Sequence, residues 1–485
     1  MNQDIRNIEP KTVWNHFADL NAVPRPSKKE ERIIQFMVDF GKSLNLETLV
    51  DKVGNVIIKK PATSGMENRK TTVMQGHIDM VHQKNADTVF DFDTEGIKMF
   101  VDGDWVKADG TTLGADNGLG VAAIMAVLSS KDIPHPAIEA LFTIDEETGM
   151  TGAMGLEANV LTGQILLNLD TEEDDEIGIG CAGGVDVTAT GSYKVENTTS
   201  NDIAYSISVT GLNGGHSGMD IIKGLGNANK IMNRLLFSVI NAIEINEING
   251  GSLRNAIPRE SFATIITDKN NDRFVELKLL SEIEKIKEEY KSIEQNLEIN
   301  FFSVQVPNLK MNSDVSSNFI NSIYAAHNGV YRMSPDVEGL VETSNNIARV
   351  IVKDGNIKVG CLTRSSSESN KWDLANSLKA CFELANFKVE FSGTYPGWLP
   401  NMNSSILKTL ENTYIKLFNE QPNVAACHAG LECGILGQNY PEMEMISFGP
   451  NIKGAHSPDE RAQISSTQKF WKLLKEVLKS IPEKV

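Results

Sequence analysis

Apolar residues in the first 180 positions of the chain come in short runs that alternate with amphipathic stretches. Residues 30–44 and 118–128 carry apolar side chains at helical spacing. Four other runs are short and rich in Val, Ile and Leu, as strands buried on both faces are, and they lie at residues 55–59, 72–75, 138–144 and 164–169. Strands that alternate with helices are typical of a mainly parallel sheet with helices on its faces. The pattern therefore predicts an α/β unit.

The middle of the chain has a different pattern, in which strand-like segments of alternating character surround a helical stretch at residues 226–236. These segments lie at residues 204–210, 243–248 and 262–267. The order strand–helix–strand–strand suggests an α+β unit with an antiparallel sheet. The charged segment 275–297 has one apolar stripe and predicts an amphipathic helix that packs on this unit.

A strand–strand–helix–strand order returns further along the chain, at residues 341–352, 358–364, 367–384 and 387–392. We therefore hypothesise that the middle unit consists of two related halves, although no residue-level repeat is visible. From about residue 397 apolar strands and helices resume, and 485 residues are too many for one ordinary core. An inserted domain explains this order, so we expect residues 1–187 and 397–485 to form one domain and residues 188–396 to interrupt it.

Composition and charge narrow the class of protein. Hydrophobic residues make up 41% and charged residues 23% of the chain, which is typical of a folded soluble protein. The formal charge of −18 disfavours nucleic acid as a partner, and we find neither a membrane-length apolar run nor the pattern of a secretory signal. Five cysteines without CxxC spacing argue against a disulfide framework. We therefore expect a cytoplasmic protein with no nucleic-acid or membrane partner.

Acidic and imidazole side chains follow several of the predicted strands or precede a helix, namely His77, Asp79, Asp116, Glu146, Glu147 and Asp170. One such carboxylate is more often a turn former or a helix cap than a metal ligand, but independent caps need not recur after successive strands. Ligands gather beyond the carboxyl ends of parallel strands, so these positions can converge although they are far apart in the sequence. Carboxylate and imidazole groups suit a pair of divalent metals that share one bridging carboxylate.

The motifs around these residues resemble those of a known enzyme family. They are GHID at 76–79, GADNGLG at 114–120, EETG at 146–149, NLD at 168–170 and GAHSPDE at 454–460. Together they resemble the co-catalytic zinc exopeptidases of the aminoacylase and carboxypeptidase G type, most of all the Xaa-His dipeptidase (aminoacyl-histidine dipeptidase) subfamily. The resemblance covers essentially the whole chain and implies a zinc-exopeptidase catalytic domain with an inserted α+β lid domain.

The resemblance also implies a centre of two divalent metal ions, zinc in the first instance, with cobalt or manganese as alternatives. His77 and Asp170 would hold one ion, Glu147 and His456 would hold the other, and Asp116 would bridge them. Three further residues would act in catalysis. Asp79 would orient the His77 imidazole, Glu146 would be the general base for a metal-bridging hydroxide, and His216 would help to stabilise the oxyanion.

Four residues match positions at which the family contacts its substrate, by the same resemblance. Asn255, in Asn-Ala-Ile-Pro at 255–258, and Arg364, in Thr-Arg-Ser-Ser at 363–366, would bind the free carboxylate of a peptide. Gly430 and Glu432 would belong to a substrate-binding loop, where Glu432 would meet the substrate's amino group. The implied partner is a small peptide, and a homodimer is left open.

The leading hypothesis is therefore a metal-dependent dipeptidase that cleaves Xaa-His dipeptides. A tripeptidase or an N-acyl amidohydrolase would need the same metal ligands, so the metal motifs do not separate these activities. A non-catalytic metal-binding or peptide-binding protein is the alternative from another class. The presence of Glu146 favours an enzyme, because a degenerate relative would be expected to lose the base first.

Overall fold

The computed structural model of the protein describes residues 2–484, which fall into two compact units. The first unit holds the described residues of Met1–Gly180, Pro400–Ala426 and Leu431–Val485, and the second holds Cys181–Leu399 and Cys427–Gly430. From the sequence we expected these limits at 187/188 and 396/397. The first limit lies earlier because residues 183–192 form a strand that pairs within the second unit. Calling the two units catalytic and lid domains stays a prediction.

Within the described residues there are eleven α-helices. They are α1 (Lys11–Leu20), α2 (Glu31–Ser43), α3 (Ala115–Ser129), α4 (Thr151–Gly155), α5 (Ala228–Ser238), α6 (Asp272–Tyr290), α7 (Ser313–Ala325), α8 (Glu368–Leu384), α9 (Ser405–Phe418), α10 (Glu432–Asn439) and α11 (Ile464–Ser480). None of these helices combines the length and the apolar character that a membrane span requires.

The same residues form 25 strands. They are β1 (Glu47–Val50), β2 (Val56–Lys60), β3 (Thr72–His77), β4 (Met99–Asp102), β5 (Trp105–Ala108), β6 (Ile138–Thr143), β7 (Ile165–Asn168), β8 (Glu176–Cys181), β9 (Gly183–Ser192), β10 (Val195–Asn197), β11 (Asp202–Thr210), β12 (Gly215–His216), β13 (Glu244–Gly250), β14 (Ala256–Ile257), β15 (Ser261–Asp268), β16 (Glu298–Val304), β17 (Leu309–Met311), β18 (Gly329–Met333), β19 (Val341–Lys353), β20 (Asn356–Ser365), β21 (Lys388–Tyr395), β22 (Asn423–Cys427), β23 (Glu444–Ser447), β24 (Ile452–Lys453) and β25 (Arg461–Gln463).

The first unit is built on a mixed sheet of eight described strands in the order β1-β2-β6-β3-β7-β23-β8-β22. Its centre is parallel, because β6, β3, β7 and β23 pair in parallel as the buried Val, Ile and Leu runs predicted. On the outside, β1, β2 and β8 pair antiparallel, so parallel pairing is confined to the centre. The α/β class is confirmed. Since the central strands are parallel, the loops that follow β3, β6 and β7 leave the same edge of the sheet.

Helix α3 packs against both β3 and α1 and is buried along almost its whole length. Small residues make this close packing feasible. At Gly120, for example, a Cβ atom would lie only 2.3 Å from the carbonyl oxygen of Leu169. The position of α3 is therefore coupled through backbone contact to the segment that carries Asp170.

The second unit is a sheet of nine described strands in the order β16-β11-β15-β13-β19-β20-β9-β21, with β18 paired to β19. Its strand pairs are antiparallel, as the alternating pattern predicted. Helices α5, α6, α7 and α8 contribute apolar faces to one core shared with the sheet.

Helix α6 is shorter at its carboxyl end than the helix over 275–297 that the sequence predicted, because it ends at Tyr290. The turn after it allows the buried Glu294 carboxylate to accept hydrogen bonds from the N–H groups of Asn213 at 2.7 Å and Gly226 at 2.8 Å.

The two halves of this sheet have the same strand order. In one half the spatial order is β13-β15-β11-β16, and in the other it is β19-β20-β9-β21. Strands β13 and β19 pair antiparallel where the halves meet. This order supports the hypothesis of two related halves, which stays a hypothesis because no repeat of residues accompanies it.

Replacing Gly120 by Ala should lower the free energy of unfolding by about 1–3 kcal/mol, because the added methyl group would overpack against the Leu169 carbonyl. Gly437→Ala in α10 is the matched control. Its Cβ would meet only Met445 Cε, at 3.7 Å, so the substitution should be neutral or stabilise by at most about 1 kcal/mol. Urea unfolding followed by circular dichroism measures both. Equal stability of the two variants would contradict the packing described here.

Candidate metal centre and anion-binding groups

The ends of the central strands bring one imidazole and two carboxylates together in the first unit. His77 is the last residue of β3 and is only 1% exposed. Its Nε2 atom lies 3.2 Å from Asp116 Oδ1 and 3.5 Å from Asp170 Oδ1. Asp170 follows β7 by two residues, and Asp116 lies at the start of α3. One ligand atom from each of these three residues lies within 4.8 Å of the others, which is close enough to share one metal ion.

The other oxygen of Asp116 belongs to a second group of ligands. Asp116 Oδ2 lies 3.2 Å from His456 Nε2, and the same nitrogen is 3.0 Å from Glu147 Oε2. Glu147 comes from the loop after β6, whereas His456 comes from the loop between β24 and β25. Asp116 thus directs one carboxylate oxygen toward each imidazole, as a carboxylate that bridges two metals would.

The chemistry of these groups fits divalent cations. Asp170 Oδ1 and Glu147 Oε1 are buried and have no hydrogen-bond partner within residues 2–484. Burial raises the pKa of both carboxyls. Hydrogen bonds to Asp116 and Glu147 raise the pKa of His456 to about 11, so the site strongly favours positive charge. Carboxylate oxygens and imidazole nitrogens of this kind suit zinc, cobalt or manganese.

Asp79 connects the ligands of this centre with the backbone. Its Oδ1 atom lies 3.3 Å from His77 Nδ1, which leaves His77 Nε2 directed at Asp116. The Asp79 carboxylate also accepts hydrogen bonds from the N–H groups of Glu146 at 3.1 Å and Glu147 at 3.3 Å, and from Ser27 Oγ at 2.8 Å. A carboxylate behind a ligating imidazole fixes its ring orientation and tautomer. Asp79 therefore contacts both the His77 ring and the loop that carries Glu146 and Glu147.

Glu146 and Glu432 are further acids near the ligands. One carboxylate oxygen of Glu146 lies within 4.8 Å of ligand atoms of His77 and Glu147, and burial raises its pKa well above the usual range. Glu432 is buried at the first turn of α10, where its Oε2 accepts hydrogen bonds from Gln75 Nε2 at 2.6 Å and Thr143 Oγ1 at 2.7 Å. Burial raises the pKa of Glu432 to about 8. Its second oxygen, Oε1, has no partner among the described side chains.

In the second unit, backbone pairing places His216 beside the Asn255 segment. Strand β12 pairs with β14, so that His216 lies opposite Ala256. The Ser217 N–H donates to the Asn255 carbonyl at 2.8 Å. Asn346 Nδ2 holds the other side of this segment through the carbonyls of Arg254 at 3.1 Å and Ala256 at 2.8 Å.

Two hydrogen-bond donors converge next to this segment. His216 Nδ1 accepts from the N–H groups of Gly218 at 3.3 Å and Met219 at 3.1 Å, so the ring proton resides on Nε2. Burial and the Arg364 charge lower the pKa of His216, which favours this neutral tautomer. Arg364 Nη2 lies 3.5 Å from His216 Nε2, and Arg364 Nη1 donates to Tyr395 Oη at 2.8 Å. Since Nη2 and Nε2 both carry hydrogen, they suit an anionic acceptor that contacts both.

The predicted site residues divide between the units. The structure brings eight of them together in the first unit, namely His77, Asp79, Asp116, Glu146, Glu147, Asp170, Glu432 and His456. The second unit contains His216, Asn255, Arg364 and Gly430. Of these, His216 contacts both the Asn255 segment and Arg364, whereas Gly430 ends the segment Cys427–Gly430, whose residues Cys427 and Ala429 accept hydrogen bonds from the Ala182 N–H.

Sequence reasoning missed two buried residues that contact the ligand-bearing loops. Glu460 accepts hydrogen bonds from the backbone before Asp116, and Arg25 donates to the backbone at Asp79 and Gly114. Glu460 lies inside the GAHSPDE motif, four residues after His456, so its place in that motif was an available signal. The sequence around Arg25 gave no such signal, because a single arginine near the start of the chain forms no local pattern that indicates a contact with the site.

Comparisons with known proteins give matches over most of the chain. Residues 73–480 match the model of peptidase family M20/M25/M40. The chain is 43% identical over 483 residues to the cytosol non-specific dipeptidase of Escherichia coli, which covers 99% of this chain and 100% of that protein. Its structure resembles the aminoacylhistidine dipeptidase from Vibrio alginolyticus, with a TM-score of 0.94 and 43% identity over 99% of each chain. The fold also resembles that of aminopeptidase PepT from Bacillus cereus, with a TM-score of 0.58 and 16% identity over 98% of this chain and 99% of that one.

Zinc or manganese ions added to the metal-free protein should raise its Tm, because a ligand that binds only the folded state stabilises it. Asp116→Asn should remove most of this increase, since an amide cannot offer an anionic oxygen to both ligand groups. Asp102→Asn, at an exposed aspartate paired with Lys107, is the control and should retain the full increase. Calorimetry with and without metal measures all three proteins. An undiminished increase in Asp116→Asn would contradict the bridging position of this residue.

Proposed function

The chain belongs to peptidase family M20/M25/M40, and we propose that it is a metal-dependent dipeptidase that hydrolyses dipeptides with a carboxyl-terminal histidine. The observation that carries this proposal is the position of Asp116, whose two oxygens lie 3.2 Å from two different imidazoles. A single metal site would need only one of these oxygens. Two relatives of similar length, each 43% identical to the chain, are named as dipeptidases.

We assign His77 and Asp170 to one cation, Glu147 and His456 to the other, and Asp116 to both. When bound, the cations polarise the scissile carbonyl and lower the pKa of a water molecule, whichever of zinc, cobalt or manganese the protein uses. Asp79 holds the His77 ring so that Nε2 is the ligating nitrogen. The imidazoles must be neutral to ligate, so metal binding should release protons from this site.

Glu146 is the proposed general base and acid. Its side chain lies beside those of His77 and Glu147, and burial raises its pKa well above the ordinary glutamate range. A raised pKa allows the carboxylate to take a proton from the attacking water and then to deliver that proton to the leaving amine. Its neighbour Glu147 is assigned to metal binding, so the two adjacent glutamates have different roles.

The second unit supplies groups for the anionic parts of the substrate. His216 carries its proton on Nε2 and can donate to the oxyanion of the tetrahedral intermediate. Arg364 presents a planar guanidinium that suits a carboxylate, and we assign it, with Asn255, to the free carboxylate of the dipeptide. We assign Gly430 to the substrate-binding loop, and the buried Glu432 with its unpartnered Oε1 to the substrate's amino group.

The choice of a dipeptide ending in histidine depends on the two relatives. One is named as a non-specific dipeptidase and the other as an aminoacylhistidine dipeptidase, so their names agree on dipeptides and differ in specificity. A tripeptidase or an N-acyl amidohydrolase would use the same metal ligands. Assays with Xaa-His dipeptides, other dipeptides, tripeptides and N-acyl amino acids, on protein loaded separately with each metal, separate these activities. No turnover of any substrate would favour a non-catalytic binding protein.

We further propose a cytoplasmic location, because the Escherichia coli relative is named as a cytosol enzyme. A homodimer is proposed as the assembly to test by sedimentation. The charge of −18 supports a protein that binds neither nucleic acid nor a membrane surface.

Glu146→Gln should lower kcat about 10²–10⁴-fold while two metal ions remain bound, because the amide cannot accept the proton of the attacking water. Glu147→Gln is the matched comparison, since it replaces a neighbouring glutamate that we assign to metal binding. That variant should lose metal as well as activity. Steady-state kinetics and elemental analysis of the same preparations separate the two effects. Wild-type turnover in Glu146→Gln would rule out Glu146 as the base.

Arg364→Lys should raise KM for a dipeptide about 10–100-fold, because lysine keeps the charge but loses the two-pronged hydrogen bonding to a carboxylate. Blocking the dipeptide's carboxylate as an amide should give a similar KM in the wild type and in the variant. Arg349→Lys serves as the control, since Arg349 donates to Asn249 and to the carbonyls of Gly250 and Gly251 in the second unit. If Arg364→Lys left KM unchanged for the free dipeptide, Arg364 would not bind the carboxylate.

A further inference from the structure

A buried glutamate lies directly behind the loop that carries Asp116. Glu460 is 3% exposed, and both of its carboxylate oxygens accept hydrogen bonds from consecutive backbone N–H groups. Oε2 accepts from Leu113 at 2.7 Å and from Gly114 at 2.9 Å. Oε1 accepts from Ala115 at 2.7 Å and from Asp116 at 3.2 Å. The side chain thus binds the whole turn that leads into α3.

This arrangement matches the electrostatics of a helix start. The first N–H groups of an α-helix have no partner within the helix, and the helix dipole places positive charge there. At the start of α3 no side chain of the adjoining residues caps these groups, and Gly114 has a left-handed backbone with φ of 69°. Asp116 and Asn117 have non-helical backbone angles, so regular helix geometry begins after them. Glu460, from a distant part of the chain, satisfies the N–H groups of the turn just ahead of that start, including that of Asp116.

Glu460 is also close in sequence to a proposed metal ligand. His456 precedes it by four residues and is 58% exposed, and its imidazole forms ion pairs with Asp116 and Glu147. The Glu460 N–H donates to the Ser457 carbonyl, and the residues that follow form β25, which pairs with β5. Strand β24 before this loop pairs with β25 after it, so the loop is held at both ends, and Glu460 lies at the end that also binds the Asp116 turn.

Arg25 holds the same turn from the other side. It is 2% exposed, and its Nη2 atom donates to the Gly114 carbonyl at 2.6 Å. Its Nη1 atom donates to the carbonyls of Asp79 at 2.9 Å and Ile78 at 3.3 Å. Arg25 thus connects the Asp116 turn to the segment of His77, whereas Glu460 connects it to the segment of His456.

We propose that Glu460 is a positioning residue for the metal site formed by Asp116, Glu147 and His456, and that this site depends on it more than the site of His77 and Asp170 does. The inference depends on the two-metal centre of the proposed function. The reason lies in exposure and in chain position: the His77 side chain is 1% exposed and contacts Asp79, whereas the His456 side chain is 58% exposed and its loop also carries Glu460.

Glu460→Gln tests the proposal with almost no change in side-chain volume. The amide keeps one oxygen acceptor, but its NH₂ group would face two backbone N–H donors, so half of the capping would be lost. The matched control is Glu139→Gln. Glu139 is also 3% exposed and accepts from the N–H groups of Thr162 at 2.8 Å and Gly163 at 2.9 Å, but it lies near the opposite end of β6 from the ligands.

The measurement is a titration of each metal-free protein with zinc ions against a chelating indicator, which gives the affinity of each ion separately. We expect Glu460→Gln to bind the first ion as the wild type does and the second ion about 10–100-fold more weakly. Its kcat should fall at low zinc and recover as zinc is raised, with KM unchanged. Glu139→Gln should keep both affinities, even if its Tm falls.

Each outcome of the titration either supports or overturns the proposed role of Glu460. Equal loss of affinity for both ions, or unchanged affinities with a lower Tm only, would overturn the proposal. If Glu460→Gln does not fold, Glu460→Asp, which keeps the charge on a shorter side chain, is titrated instead. Failure of both to fold while Glu139→Gln folds would make Glu460 a folding determinant and also overturn the proposal. A wild type that binds no zinc would instead contradict the proposed function.

Discussion

Mutual repulsion among buried carboxylates is the constraint on which the first unit depends. Asp116, Asp170 and Glu147 crowd around two imidazoles, and burial raises the pKa of Asp170 and Glu147. Carboxylates gathered away from water destabilise the fold unless positive charge compensates them. A protonated imidazole could compensate the carboxylates, but it could not ligate a metal at the same time, because a ligating imidazole is neutral. Under the proposed function, backbone contacts such as those of Asp79 hold the ligands in place, and bound cations would supply the compensating charge.

The second unit has the opposite chemistry. Its buried polar groups near His216 are hydrogen-bond donors, since His216 Nε2 and Arg364 Nη2 converge at 3.5 Å. A peptide under hydrolysis carries a free carboxylate and develops an oxyanion, so both of its anionic groups need donors. One unit thus concentrates acceptors that suit cations, and the other concentrates donors that suit anions.

Local pattern predicted most of the elements, and the resemblance to a known family implied the metal-ligand set, which stays a prediction. Each predicted helix and strand has a counterpart, because helical and strand periodicity depends on neighbouring residues. The exceptions depend on distant contacts. Helix α6 ends early where Glu294 binds backbone 68 and 81 residues away, and residues 183–192 belong to the second unit because their partners are β20 and β21. The motif at 454–460 contains Glu460, but its partners were not predictable, since an acceptor for backbone N–H groups needs no partner of a particular residue type.

The order of residues along the chain was sufficient to indicate an α/β unit and an antiparallel α+β segment, because these follow from periodicity, and its short motifs were sufficient to suggest candidate metal ligands through a family resemblance. The chain order could not reveal that the two oxygens of Asp116 point to different imidazoles, or that Glu460 and Arg25 hold the turn between them. Those features arise when segments 39 to 344 residues apart in the sequence meet at one edge of a sheet. Their geometry is set by packing and backbone hydrogen bonds across that distance, which leave no local pattern in the sequence.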